Sequence, residues 1–321
     1  MRLSRRSRTR SAATPDAASR PACSSLRRPS GRARKIANLL FCDPGQADER
    51  SEVFAFVDSD ACTRPDWLAS LAAAAMRPGV GAATGYRWLI SENGKLGSEL
   101  ASVWNASVAS ALGPNLRSNF CWGGSMAARR STFEQIGVAE KWEGALSDDF
   151  AMTRAVHDAG LDLVFVPRAL CASFEHQTLA EMLEFTTRQM KITRVYSPNL
   201  WLLSMFGSTL FCSVMIASIA IIAAADVRGI AFFAAIATFG LVTAFTLLKA
   251  IIRLRAVRAV LSEQEVLLKR QFLPQPIYSF VTPAIFLVNT VLAAISRRIV
   301  WRGTVYELKS PSETVIIREK R

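Results

Sequence analysis

Two acidic pairs carry the most specific chemistry in this chain. Asp58-Ser59-Asp60 directly follows the apolar run Val53-Phe54-Ala55-Phe56-Val57. At the carboxyl end of a strand in an open α/β sheet, two carboxylates one residue apart suit a hard divalent cation that bridges a diphosphate. The same residues also suit a helix-leading turn, with Asp60 or Thr63 capping a helix that opens at Pro65. Ser147-Asp148-Asp149-Phe150 reads two ways as well. Ser147 as a cap with two acids in the first turn complements a helix dipole, whereas adjacent carboxylates raise the proton affinity of one of them and suit a general base. The presence of both pairs in one chain favours the chemical reading.

Between the pairs lies Asn119-Phe120-Cys121-Trp122-Gly123-Gly124-Ser125. A glycine pair lets backbone approach a ligand and an indole face suits a sugar or an apolar acceptor, although the run also fits a tight turn. Further on, Thr178 to Tyr196 predicts a helix carrying Arg188, Gln189, Lys191 and Arg194. These residues either neutralise a leaving diphosphate or touch lipid headgroups. His157 is expected on a helix surface and His176 has no identifiable partner, so no Ser-His-Asp set is predicted. Gly79 to Gly85 lacks the G-x-G-x-x-G spacing of a dinucleotide loop, and G-x-x-x-x-G-K is absent.

The elements that must position these residues follow from apolar patterning. From residue 35 to about 197, short apolar runs alternate with helical patterns, which predicts an α/β domain on a mainly parallel sheet. Val53–Val57 reads as a strand buried on both faces, Val80–Thr84 as the next, and Leu161–Val166 as another ending at Pro167. Helices are predicted from Pro65 to Met76 and from Ser147 through Val156, the latter stopping at Gly160. After Ser197 come three uncharged runs, Leu202–Ala225, Gly229–Leu248 and Ile277–Ser296, each long enough to cross a hydrocarbon core of about 30 Å. An integral membrane protein is therefore expected. Residues 249–272 carry six basic side chains against Glu263 and Glu265, which orients that loop and the α/β domain toward the cytoplasm. The tail 297–321 is also basic, so one run should not span. The Pro283-interrupted third run is the expected exception, with 250–272 as an amphipathic stretch at the interface.

Composition sets outer limits. The chain has 321 residues, 50% apolar and 20% charged, which excludes a disordered or collagen-like polymer. Its net charge of +13 is concentrated in residues 1–35, which hold eleven basic side chains and one acid; the remainder is nearly balanced, so no nucleic-acid partner is implied. Residues 1–34 are rich in Arg, Ser, Ala and Pro without an apolar period and read as a disordered basic segment. They fit an organellar transit peptide, a tail against an anionic membrane or a misassigned start. The six cysteines form no C-x-x-C pair, which indicates neither a zinc site nor a disulfide framework but reduced thiols facing cytosol.

Five blocks in order carry a family resemblance: F-V-D-S-D-A-C-T-R-P-D-W-L (56–68), W-G-G-S-M-A-A-R-R (122–130), L-S-D-D-F (146–150), R-Q-M-K-I-T-R-V (188–195) and W-R-G-T-V-Y-E-L (301–308). On them the chain resembles a membrane-bound family 2 glycosyltransferase, closest to the ceramide glucosyltransferase type. The resemblance implies a GT-A-type α/β domain over 35–197, a membrane region over 198–296 with two or three transmembrane helices, and a basic cytoplasmic tail. It implies inverting transfer of a hexose from a nucleotide-diphosphate sugar, UDP-glucose or similar, to a membrane lipid hydroxyl, with Mg²⁺ or Mn²⁺ as cofactor. Carried over by position, Asp58 and Asp60 hold metal and donor, Lys191 and Arg194 the donor, Trp122, Gly123 and Gly124 the acceptor. Asp149, with Asp148 as alternative, deprotonates that acceptor. A polyprenyl-phosphate acceptor and a non-catalytic membrane remnant are the competing readings, and a bacterial inner membrane is the expected location.

Two departures qualify the resemblance. Lys191 stands first in the Q-x-x-R-W block and Val195 replaces its Trp, which argues against processive polymer synthesis. The family's anchor, first strand and early base-contacting Asp have no counterpart, since Arg34-Lys35-Ile36-Ala37-Asn38-Leu39 resembles the segment after its second strand. An N-terminally truncated, incomplete GT-A domain is expected on that ground, from a truncated or frame-shifted gene.

Overall fold

A computed structural model describes residues 33–41, 48, 50–224, 227 and 229–319. The expected disorder of the basic segment, the expected truncation, Cys23, Cys42, Asp226 and Arg228 lie outside these residues. The described chain opens with α1 (Arg34–Phe41) and continues through β1 (Val53–Val57), α2 (Trp67–Ala75), β2 (Val80–Ser91), α3 (Leu96–Ala109) and β3 (Ser125–Arg129). Next come α4 (Arg130–Gln135), α5 (Val138–Trp142), α6 (Asp148–Asp158), β4 (Asp162–Glu175) and α7 (Leu179–Tyr196). The result is the mixed α/β layer that the alternating pattern predicts.

The sheet order is β1-β3-β2-β4, and only β2 and β4 run parallel; β3 is antiparallel to both of its neighbours. The expected mainly parallel sheet is thus corrected among the described strands. Burial on both faces, which β2 shows along almost its whole length, produces a continuous apolar run whatever the strand direction. β1 keeps its predicted bounds but is only half-buried, as an edge strand.

β4 runs on through Pro167, which the sequence reading had placed at its end. The pairing with β2 jumps from Thr84↔Phe165 to Tyr86↔Leu170, so Pro167 sits in a bulge where no ladder donor is needed. Gly85 lies opposite: a β-carbon there would collide with the Ala169 carbonyl and the Ser125 hydroxyl.

Two helices, α8 (Pro198–Ala224) and α9 (Ile230–Val260), are long and apolar enough to cross a membrane. Leu203, Phe206, Ile216 and Phe245 are each about two-thirds exposed on them. α10 (Glu265–Arg270) and α11 (Pro274–Tyr278) lead to α12 (Thr282–Ile295). At 1.5 Å per residue, the 14 residues of α12 reach about 21 Å, short of a hydrocarbon core. The third apolar run is therefore broken and short, with Pro283 in its first helical turn.

Residues 250–272 depart from the expected interfacial stretch. Leu254, Val257, Leu261 and Leu268 are buried in one cluster with Trp67, Leu71 and Trp88, so the apolar stripe docks on the α/β layer. The basic tail is likewise folded, as an antiparallel sheet of β5 (Arg298–Trp301), β6 (Thr304–Ser310) and β7 (Glu313–Arg318). Its period-two pattern buries Thr304, Tyr306 and Leu308, and Ile299, Tyr306 and Leu308 join the core around Met126, Phe133 and Met152.

Candidate active site

A cavity of about 1170 Å³ opens over the end of the sheet. The turn after β1 brings Asp58 to it, the N-terminus of α6 brings Asp148 and Asp149, and the β2 side brings Tyr86 and Arg87. α7 adds Phe185, Arg188 and Gln189, and the β5–β6 turn adds Trp301 and Arg302. Four of the sequence blocks therefore meet at one space with the fifth, although they are spread over most of the chain.

At its centre stands Lys35, a residue sequence reasoning had not placed in the site. Ile36, fully buried in the core, anchors α1 so that the neighbouring Lys35 ammonium lies 2.9 Å from Asp58 Oδ1 and 3.1 Å from Asp148 Oδ2. Burial alone lowers the affinity of Lys35 for its proton, yet Asp148, Asp58 and Asp149 together outweigh it and hold the ammonium above its ordinary range. Burial pushes the Asp148 carboxyl up, with the Lys35 ammonium opposing. Asp148 Oδ2 is buried and, apart from the Lys35 ammonium, meets no donor among the described residues.

Asp149 faces the cavity differently. Its Oδ1 accepts from the Ser147 hydroxyl and from Phe150 N at 2.8 Å. Ser147 occupies the N-cap position of α6, but its side chain bonds Asp149 and does not cap a backbone N–H. The Tyr196 hydroxyl fixes the approach to α6 by accepting from Leu146 N at 2.7 Å and Ser147 N at 3.3 Å. A carboxylate held by one oxygen and open at the other is a geometry that can take a proton.

The glycine pair serves this cluster. A β-carbon on Gly123 would collide with Asp148 Oδ2 and stand 2.8 Å from Lys35 Nζ; one on Gly124 would strike the Trp122 indole and approach Asp58 Oδ2 to 2.6 Å. Close approach is thus made to the protein's own carboxylates. Trp122 is buried, with Arg87 over its ring at 5.6 Å, so its face meets a guanidinium before it meets a ligand. Asp60, exposed, lines the cavity beside Asp58.

Of the basic residues expected at the donor, Lys191 and Arg194 point away from the cavity. Lys191 Nζ donates to Arg298 O at 2.8 Å, and Arg194 Nη1 donates to the Ala293 and Ala294 carbonyls at the end of α12. The cavity receives Arg188 and Arg87 in their place. Arg87 lies 5.1 Å from the Phe185 ring, and Arg188 lies between Phe185 at 5.7 Å and Trp301 at 5.9 Å. Neither forms an ion pair with a described residue, and Arg87 Nε is buried without a hydrogen bond. Helical phase was the available signal, because Phe185, Arg188, Gln189, Ile192 and Tyr196 line the cavity at i, i+3, i+4, i+7 and i+11. His157 also lines the cavity, while exposed His176 finds partners in Glu92 at 2.7 Å and Asn93 at 3.1 Å.

Among the described residues no three His, Cys, Asp or Glu side chains converge as a metal cage. Asp58 and Asp148 nonetheless face each other across a cation, over a glycine whose β-carbon would fill the gap. Two carboxylates completed by diphosphate oxygens and water suit Mg²⁺ or Mn²⁺, so the donor set is compatible with the ion.

No curated protein matches this chain. The sequence blocks pointed to family 2 and, within it, to the ceramide glucosyltransferase type. The model of glycosyl transferase family 21, the ceramide glucosyltransferase-like family, matches residues 22–314. The match spans nearly the whole length, and the chain belongs to glycosyl transferase family 21.

Proposed function

We propose that this glycosyltransferase moves a hexose from a nucleotide-diphosphate sugar to the hydroxyl of a membrane lipid, ceramide-like in shape, with inversion. One observation carries the reading. The cavity that holds Asp149 continues to Leu200 and Ser204 on the first turns of α8 and to Phe286 on α12, so a lipid entering beside the apolar helices reaches the carboxylate without crossing water. With α8 and α9 spanning the bilayer, the site lies at its cytoplasmic face.

Asp149 takes the acceptor proton through the oxygen that Ser147 leaves open. The acceptor oxygen bonds the anomeric carbon on the face opposite the diphosphate, and the bond from that carbon to the diphosphate oxygen breaks. Arg87 and Arg188, stacked on aromatic rings in the cavity wall, stabilise the charge that develops on the leaving group. Asp58 and Asp60, with Asp148 across from Asp58, would hold Mg²⁺ or Mn²⁺, whose contribution when bound is to neutralise the diphosphate.

The test is transfer of label from nucleotide sugars to the lipid extract of membranes containing the full chain. Label that appears with Mn²⁺ or Mg²⁺ and falls about 10²–10⁴-fold in Asp149→Asn supports the reading. Undiminished transfer in that variant excludes Asp149 as base and favours a polyprenyl-phosphate acceptor, already anionic. No transfer by the wild-type chain, present and folded in the membrane, overturns the proposal.

A further inference from the structure

The cation between Asp58 and Asp148 is part of the protein. Lys35 Nζ occupies the point 2.9 Å from one carboxylate and 3.1 Å from the other, the place where an inorganic cation bound by the same two oxygens would also have to stand. An ammonium and a divalent ion cannot share that point, by volume or by charge. The surroundings keep the space small and charged. Asp148 is 3% exposed, and its Oδ2 meets no donor besides Lys35 among the described residues, so loss of the cation leaves a buried carboxylate unpaired. Gly123 supplies the room, because any side chain there meets both Asp148 and Lys35.

Lys35 has an open way out of the pair. Its side chain is 27% exposed, it lines the open cavity, and its only described ion-pair partners are these two carboxylates. The cavity it lines is the one that Arg87 and Arg188 also line.

We infer that Lys35 is an exchangeable internal cation: it neutralises Asp58 and Asp148 in the empty enzyme, yields to a divalent ion, and then turns its ammonium to the anionic donor in the same cavity. The exchange makes Lys35 a donor-binding residue and couples metal uptake to donor uptake, since metal alone must displace a covalently tethered competitor. The inference rests on the reading of the acidic cluster as a cation site and is independent of the acceptor.

Mn²⁺ uptake by the purified full chain in detergent, followed by electron paramagnetic resonance without donor or acceptor, tests it. Lys35→Gln should bind Mn²⁺ at least about tenfold more tightly than wild type, the lower end of what a unit charge within 4–6 Å does to a neighbouring ion equilibrium. Lys35→Arg, which keeps the charge, should bind as weakly as wild type, and Asp58→Asn added to Lys35→Gln should erase the gain. Equal Mn²⁺ affinity in Lys35→Gln and wild type, or an equal gain in Lys35→Arg, overturns the inference. A measurement on the wild-type protein guards against a misfolded variant: Mn²⁺ should raise labelling of Lys35 by an amine-reactive reagent over a K⁺ control of matched ionic strength, and unchanged labelling likewise overturns it. Exchange without sugar transfer refutes only the proposed function; transfer without exchange refutes only the role of Lys35.

Discussion

The acidic cluster and the basic helix α7 are both runs of like charge that stand out in the sequence, and the fold treats them in opposite ways. Asp58, Asp148 and Asp149 come from a strand end and a helix N-terminus, places where several elements finish at one edge of a sheet, and they converge within reach of one ammonium. Arg188, Lys191 and Arg194 stand three residues apart on one helix, so each is turned about 60° from the one before, and the first and last lie about 120° apart. Arg188 lines the cavity while its Nη1 donates to Val300 O of β5 at 3.4 Å, Lys191 donates to Arg298 O of the same strand outside the cavity, and Arg194 meets the end of α12. Element ends gather charge; a helix body distributes it.

The contrast breaks most visibly at Arg188. Removing it should lower kcat/KM for sugar transfer about 10²–10³-fold with little change in melting temperature, since it contributes charge to the cavity. Lys191→Ala should leave kcat/KM within about threefold, because its partner is the Arg298 carbonyl. Should the two variants exchange these phenotypes, the donor end of the cavity has been placed on the wrong face of α7.

A middle-sized effect is expected at the glycine pair. Gly124→Ala forces a methyl group into the Trp122 indole and to 2.6 Å from Asp58 Oδ2, an overpacking worth about 1–3 kcal/mol. Gly113→Ala, at a position with nothing within 4 Å, is the matched control and should be close to neutral. Thermal melts of the two variants in the same detergent decide it, and equal melts would show that the cluster tolerates a wider spacing.

Arg194→Ala carries the structural half of the comparison. It removes donors to two carbonyls at the end of α12 and a cation 5.5 Å from the Trp201 ring. A loss of about 1–2 kcal/mol is expected, with kcat/KM of the remaining folded enzyme nearly unchanged. A fall in kcat/KM matching that of Arg188→Ala would return Arg194 to the donor site.

These tests also mark where the sequence was legible. Val53–Val57 was readable as a strand because its apolar run ends sharply at Asp58, and Thr178 to Tyr196 as the helix α7, to which the structure adds a capping box of Thr178 and Glu181, with Thr178 N donating to Glu181 Oε2 at 2.8 Å. The acidic pairs were visible for the same reason: their signals are local. Strand direction was not readable, since the Ala83↔Ala127 pairing of β2 with β3 is set by tertiary contacts. Pro167 misled because its tolerance depends on a bulge opposite Gly85. Lys35 went unnoticed as a site residue because it closes a basic run, and Arg87 because it is an isolated cation in an apolar strand; each is given meaning only by carboxylates or rings that the fold brings from far along the chain.

The smallest effect is also the cleanest control for the acidic cluster, because it concerns a buried carboxylate that has no cation. Glu99, 5% exposed at the start of α3, holds Oε2 without a hydrogen-bond partner. Burial raises its pKa, with a hydrogen bond from Ser91 opposing. A carboxyl whose folded pKa lies above its unfolded value stabilises the fold below the unfolded pKa, near 4.3, and that contribution is lost as pH rises through the folded pKa. Glu99→Gln removes the charge and should therefore stabilise the protein at pH 7.5 by about 1 kcal/mol, roughly 2 °C in melting temperature, with a smaller gain at pH 5. Asp148 is raised by burial as well, but Lys35 opposes the rise, so Asp148→Asn, which also strips a partner from that ammonium, should stabilise less than Glu99→Gln at pH 7.5. Melting both variants at the two pH values separates the cases: a smaller gain for Asp148→Asn at pH 7.5 means that the cation offsets part of the burial of Asp148, whereas an equal gain for both would show that Lys35 contributes nothing to its carboxylate.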